Sequence, residues 1–242
     1  MNPCPVALRL TALTALLTLG APGARPDAGT LAPAGTAAAH DSTRASGRDA
    51  GKDRRKRDDG RREYLADVLR QRDYVVERWA DRKDRPIRVW ISAPNRKVTA
   101  WDDDFPAAVR SAFAEWQDRR LPVRFTFVND SASAEVRVRW VSRFSTDESG
   151  RTVWWSNQRS MITRAEVTLS THASDGGEQD PTSLRAVALH EVGHLLGLDH
   201  CLEASNVMAP WVQVATLSAA DRETVRRLYE LPLGRVKYAG RD

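Results

Sequence analysis

Between His190 and His200 the chain reads HEVGHLLGLDH, and no other stretch restricts the fold so tightly. On an α-helix, residues four apart are separated by about 400° of rotation, so His190 and His194 project from one face, one turn apart, with Glu191 beside them. Gly197 supplies the stop, because glycine enters the left-handed region without penalty and reverses the chain after the last helical turn. His200 then comes back toward the same point from a second direction. Three imidazoles on a tetrahedral zinc leave a fourth position for water, which is the arrangement of a catalytic site. Zinc lowers the pKa of such a water from about 15.7 to about 7. Glu191 is the base that takes its proton and hands it to a leaving amine. Two blander readings stand beside this one: a core helix with incidental histidines, and a zinc site without turnover.

With those residues in view, the chain resembles the metzincin clan of zinc metallopeptidases, whose extended signature is HExxHxxGxxH followed by a methionine turn. Met208, inside NVMAP, resembles the Met-turn of the matrixin branch, and Leu217 to Leu231 is similar to the closing matrixin helix. The resemblance covers residues 85–235. It implies an α+β, zincin-like catalytic domain: a twisted, mostly parallel five-stranded sheet with an antiparallel edge strand and three helices. It also implies a zinc endopeptidase acting on polypeptides, with Asp221 supporting the Met-turn backbone. Pro210, Trp211 and Val212 would form the outer wall of the pocket just beyond the scissile bond.

Three departures from the family pattern matter. Matrixin propeptides carry a zinc-silencing cysteine in a PRCGxPD segment, whereas residues 25–84 contain no cysteine, which excludes latency by that switch. Outside the active-site run only His40 and His172 remain, too few for the second, structural zinc of many matrixins. The closing helix often begins with an acidic pair, but here Ala220 precedes Asp221, so the partner that anchors a freed N-terminal ammonium is missing.

A formal charge of +5 invites a nucleic-acid reading, so its location decides the matter. Residues 1–40 hold two Arg against one Asp, residues 41–85 fifteen basic against eleven acidic, and residues 86–242 twenty against twenty. The domain is neutral, and nucleic-acid binding is not supported. Basicity sits in Lys52 to Arg62, read as a solvated disordered linker, a processing site or a surface-adsorbing patch. Of the two cysteines, Cys4 lies at the amino terminus and Cys201 follows a zinc ligand, read as a small apolar filler or a redox-sensitive thiol.

Arg9, the apolar stretch Leu10 to Leu19 and the small residues Ala21 to Ala24 read as a secretory signal peptide over residues 1–24, too short to span a bilayer. The product would be secreted or periplasmic, with no transmembrane span, and monomeric. Residues 25–84 then comprise a disordered linker and an amphipathic helix from Arg62 to Trp79, with Leu65, Val68, Leu69 and Val76 on its apolar face. That helix is either docked on the domain or a prosegment over the cleft, with a membrane-surface helix as a third reading. Residues 236–242 form a tail.

Within the domain, Ile87, Val89 and Ile91 alternate in a first strand, and a helix opening at Asp102 to Pro106 buries Val109, Ala112, Phe113 and Trp116. Further strands are read at Val123 to Val128, Glu135 to Val141, Thr152 to Trp155 and Ala165 to Ser170. In a matrixin-like arrangement Thr152 to Trp155 is the edge strand to which an extended substrate adds. Trp154 and Trp155 then either line the substrate rim or split between core and surface, since neighbours in a strand point oppositely. The acid-rich loop Thr171 to Pro181, with His172, Asp175, Glu178 and Asp180, is a solvated loop or a calcium (Ca2+) site. Thr182 or Ser183 is the expected cap of the active-site helix. The expectation is thus an exported zinc endopeptidase with one catalytic Zn2+, the alternative being a silent zinc- or peptide-binding protein on the same scaffold.

Overall fold

The computed structural model describes residues 10–15, 63–117 and 120–237. The strands of the domain are β3 (Ile87–Ile91), β4 (Phe125–Phe127), β5 (Val136–Val141), β6 (Gly150–Ser156) and β7 (Ile162–Ser170), with burial alternating throughout β5 and β6. These strands form a five-stranded sheet in the order β6-β7-β5-β3-β4, in which β4, β3, β5 and β7 run parallel and β6 is the antiparallel edge. The expected mixed sheet is therefore present. A sixth strand, β1 (Leu10–Ala15), lies antiparallel on the outer side of β6, from Leu10 opposite Trp155 to Ala15 opposite Gly150. The other calls on the leader and on residues 25–62 lie outside the described residues. Among the described residues, no helix is long and apolar enough to cross a membrane.

Three helices accompany the sheet within the domain: α2 (Phe105–Trp116), α3 (Pro181–Leu195) and α4 (Ala219–Glu230). From Ala186 to Leu195 α3 has no exposed position, since α2 packs on one side and β6 and β7 on the other. Two tryptophans lock it at different turns: Trp116 Nε1 donates to Leu189 O (2.8 Å) and Trp79 Nε1 to Leu195 O (2.9 Å). Arg185 of α3 and Arg222 of α4 both pair with Glu115 of α2, tying the three helices together. These contacts hold in place the helix that carries the histidines.

Two local expectations are corrected. The cap of α3 is Asp180 rather than Thr182 or Ser183: its carboxylate accepts from both of their amides (2.7 and 3.1 Å), and Pro181 fills the first helical position. The amphipathic helix read over 62–79 is only α1 (Leu65–Gln71). Asp73 and Tyr74 adopt left-handed backbone (φ 50° and 59°), which breaks the helix despite the continuing apolar spacing. The chain then extends through β2 (Val75–Val76), which pairs with β8 (Gly234–Arg235). The apolar side chains are nevertheless used, because Leu65, Val68, Leu69, Val76 and Trp79 are all buried in the common core.

Candidate active site

Helix α3 brings His190 and His194 one turn apart, and their free ring nitrogens meet: Nε2 to Nε2 is 2.9 Å. Their other ring nitrogens face main-chain oxygens, His190 Nδ1 at 2.7 Å from Val207 O and His194 Nδ1 at 3.1 Å from Leu198 O. Each carbonyl demands a donor, so Nδ1 carries the proton and Nε2 keeps its lone pair. Gly197 has φ +101°, and a Cβ there would fall 2.6 Å from Glu77 O. The reversal therefore admits only glycine, and it returns His200 to the cluster. The metal-capable nitrogens of the three histidines lie within 4.8 Å of one another. His200 Nε2 is buried with no protein partner.

Burial dominates the electrostatics of this cluster. It pushes His190 down to about 3, aided by His200 and opposed by the bond to Val207 O. His194 is also driven well below the usual imidazole range, by burial first and then by its two neighbours. Neutral rings with converging lone pairs and no protein donor between them are a donor set that a borderline-soft cation such as zinc fits.

Glu191 is fully buried beside this cluster. Its Oε2 accepts from Thr152 Oγ1 at 2.6 Å, while Oε1 has no protein partner. Burial raises its pKa to about 8, and the Thr152 bond works in the opposite direction. Gly150 makes room for it, since a Cβ there would sit 2.6 Å from Oε1. Met208 is completely buried, and its sulfur lies against α3 where Gly193 leaves space.

A family model for matrixin (Peptidase M10) matches residues 79–230, more than half of the chain. The chain belongs to the matrixin family. It is similar to Metalloendoproteinase 1-MMP of Arabidopsis thaliana, 28% identical over 152 residues, covering 57% of this chain and 42% of the relative. It is also similar to Matrix metalloproteinase-C of Caenorhabditis elegans, 27% identical over 133 residues, covering 49% of this chain and 22% of that protein. The chain thus spans under half the length of these relatives.

Asp221 lies at the hub of the matrixin domain's C-terminal part. Its Oδ2 accepts from Val207 N (3.0 Å), one residue before Met208, and from Ser218 N (2.9 Å) in a capping box that starts α4. Its Oδ1 accepts from Tyr64 Oη at 2.7 Å. The sequence pattern lacks an acidic partner beside Asp221, and the phenol of Tyr64 takes a place on that carboxylate.

The two tryptophans of β6 separate. Trp154 is buried, with Nε1 on Glu77 Oε2 (3.1 Å) and the Arg72 guanidinium 4.8 Å from its ring. It is a core residue and not part of a substrate rim. Trp155 is half-buried beneath the Arg164 guanidinium, 4.1 Å from its ring. Past Met208, Pro210 is half-buried, Trp211 is 40% exposed and Val212 is buried.

In the loop between β7 and α3 the polar side chains serve local partners. His172 Nδ1 faces Ser142 O, Asp175 accepts from Gly177 N, and Asp180 caps α3. Among the described residues, the histidine cluster is the only group of three or more metal-capable side chains. Cys201 is buried, and burial pushes its thiol up to about 11, which leaves it unreactive near neutral pH.

Thr152, Gly150, Gly193 and Tyr64 did not emerge from the sequence as site residues. The two glycines could have been noticed, Gly193 by its place between two ligands. Thr152 and Tyr64 carry no local signal, because their partners are distant in the chain.

Proposed function

We propose that this protein is an exported zinc-dependent endopeptidase in which His190, His194 and His200 hold the metal and Glu191 is the general base. The observation that supports this most strongly is the convergence of three imidazoles, with His200 Nε2 lacking a protein partner, beside a buried carboxylate oxygen that also lacks one. When bound, zinc supplies a Lewis acid for the scissile carbonyl and acidifies a water.

The chain's own groups do the rest. Val207 O and Leu198 O fix the imidazole tautomers, so His190 and His194 already turn their lone pairs inward. Thr152 holds one oxygen of Glu191 and leaves the other to receive a proton from water and return it to the departing amine. Burial raises the affinity of that carboxylate for a proton. The outer edge of β6, which takes an antiparallel partner strand from Gly150 to Trp155, supports extended peptide as the substrate class. Pro210, Trp211 and Val212 form the wall that selects the following side chain. Export rests on the basic-then-apolar leader at residues 1–24, and a single domain on the common core.

Digestion of a peptide library by purified protein, with and without chelator, tests the reading. Cleavage of internal bonds that stops on chelation and returns with stoichiometric zinc is expected. A metal-loaded protein that cleaves no peptide would overturn the enzyme reading in favour of a silent zinc-binding protein.

A further inference from the structure

Residues 64–79 precede nearly all of the family match, yet their polar side chains converge on the loop that carries His200. Arg72 Nη2 donates to Leu198 O (2.9 Å), and Arg72 Nε pairs with Asp199 Oδ2 (3.3 Å). The adjacent Gln71 Nε2 donates to His200 O (2.7 Å). Two of these acceptors are already engaged with the histidines. Leu198 O is the oxygen that faces His194 Nδ1 (3.1 Å), and Asp199 Oδ1 accepts from His200 N (2.8 Å).

Arg72 therefore stands one acceptor away from the His194 ring and from the backbone amide of His200. Its side chain is only 9% exposed and its guanidinium lies over Trp154. Burying a guanidinium is costly unless its geometry is satisfied by carboxylate and carbonyl acceptors. Here the acceptors of Nε and Nη2 lie in the metal loop itself, while Nη1 is buried without a protein partner.

We propose that Arg72 and Gln71 are positioning residues for the metal, so that residues 63–79 are a permanent strap of the active unit and not a removable prosegment. The strap runs behind the loop: Leu65, Val68, Leu69 and Trp79 are core, and Tyr64 is bonded to Asp221. Its removal would release the carbonyl that orients His194 and the loop that bears His200. Processing of the chain accordingly falls before Glu63, and cleavage inside the strap inactivates. This inference rests on the zinc reading of the histidine cluster.

The test uses the full chain as wild type, Arg72→Lys, Gln71→Ala and, as control, Arg70→Ala, whose side chain on the same helix is 62% exposed and pairs only with Asp67 among the ion pairs. Zinc affinity is measured by competition with a chromophoric chelator, and ligand geometry by the visible spectrum of the Co2+-loaded protein. Arg72→Lys keeps the charge but loses the two-pronged reach, and zinc should bind about tenfold more weakly or worse, the usual loss when a ligand's outer partner is removed. Gln71 is exposed, so its truncation spares the core; about threefold weaker binding is expected, as for one lost hydrogen bond. Both variants should shift the cobalt bands, and Arg70→Ala should match wild type. Affinities within twofold of wild type in Gln71→Ala and Arg72→Lys would overturn the proposal while leaving the enzyme reading intact. So would a loss of zinc-free stability with unchanged cobalt bands, because the strap would then be merely structural. If Arg72→Lys fails to fold, Gln71→Ala decides alone. A wild type without stoichiometric zinc would overturn both readings together.

Discussion

Gly193 sits between the two helical ligands, and replacing it with alanine should reverse the usual effect of that substitution. In a helix interior, Gly→Ala ordinarily stabilises by about 1 kcal/mol through propensity. Here the new Cβ would lie 2.2 Å from Met208 Sδ, 3.1 Å from its Cε and 3.2 Å from the Trp116 ring. Relaxed heavy-atom contacts lie at about 3.5–4.0 Å, so the sulfur must retreat by roughly 1.5 Å. It has little room, because Met208 is fully buried and Trp116 is held by Leu189 O. Overpacking of this kind costs about 1–3 kcal/mol, and the closeness of the contact places it at the upper end. After the propensity gain, a net loss of about 1–2 kcal/mol remains. Urea denaturation of the zinc-free protein measures it, and the Met208→Ala background supplies the control. There Gly193→Ala should become neutral or stabilising, since the clashing sulfur is gone. If Gly193→Ala is at least as stable as wild type while Met208 is present, the sulfur does not press on the helix and the packing argument fails.

Tyr64→Phe should cost about 1–3 kcal/mol of stability, because it strips the 2.7 Å donor from the buried Asp221 carboxylate; unchanged chemical denaturation would mean that the hydroxyl is idle. Stability of the metal-free protein should also depend on pH from both sides. His190 is held at about 3 against an ordinary 6.5, so the unfolded chain binds the proton first, and stability is lost as pH falls below 6.5. At pH 5 that loss is about 2 kcal/mol for this one ring. Glu191 acts oppositely: its folded pKa of about 8 lies above 4.5, so its contribution is full below 4.5 and is lost as pH rises toward 8. The two effects offset between about pH 4.5 and 6.5, so thermal melts should be highest there and fall on either side, and Glu191→Gln should remove the alkaline slope while keeping the acid one. Matching alkaline slopes in both proteins would count against a buried, proton-retaining Glu191.

The parts of the fold legible in the sequence are those that depend on short spacing. Helix periodicity alone pairs His190 with His194, and Gly197 stands where its φ of +101° is required. The alternation at Ile87–Ile91 holds for Ile87 and Val89, which are buried, and relaxes at the strand's end, where Ile91 is half-buried. What could not be read depends on distant partners. The apolar spacing from Leu65 to Trp79 continues through a helix break that two left-handed residues impose, and the spacing reflects burial in the core rather than one helix. Trp154 and Trp155 are interchangeable in composition, and only the contact of Trp154 with Glu77 and Arg72 decides which is core. Asp180 outcompetes Thr182 and Ser183 as the cap because a carboxylate can accept from both amides at once.

Zinc content and peptide cleavage measured side by side on wild type and Glu191→Gln probe the histidine and carboxylate assignments most directly. One zinc per chain in both proteins, with cleavage lost in the variant, is the expected result. Full cleavage by Glu191→Gln, or a folded wild type that retains no zinc, would contradict them.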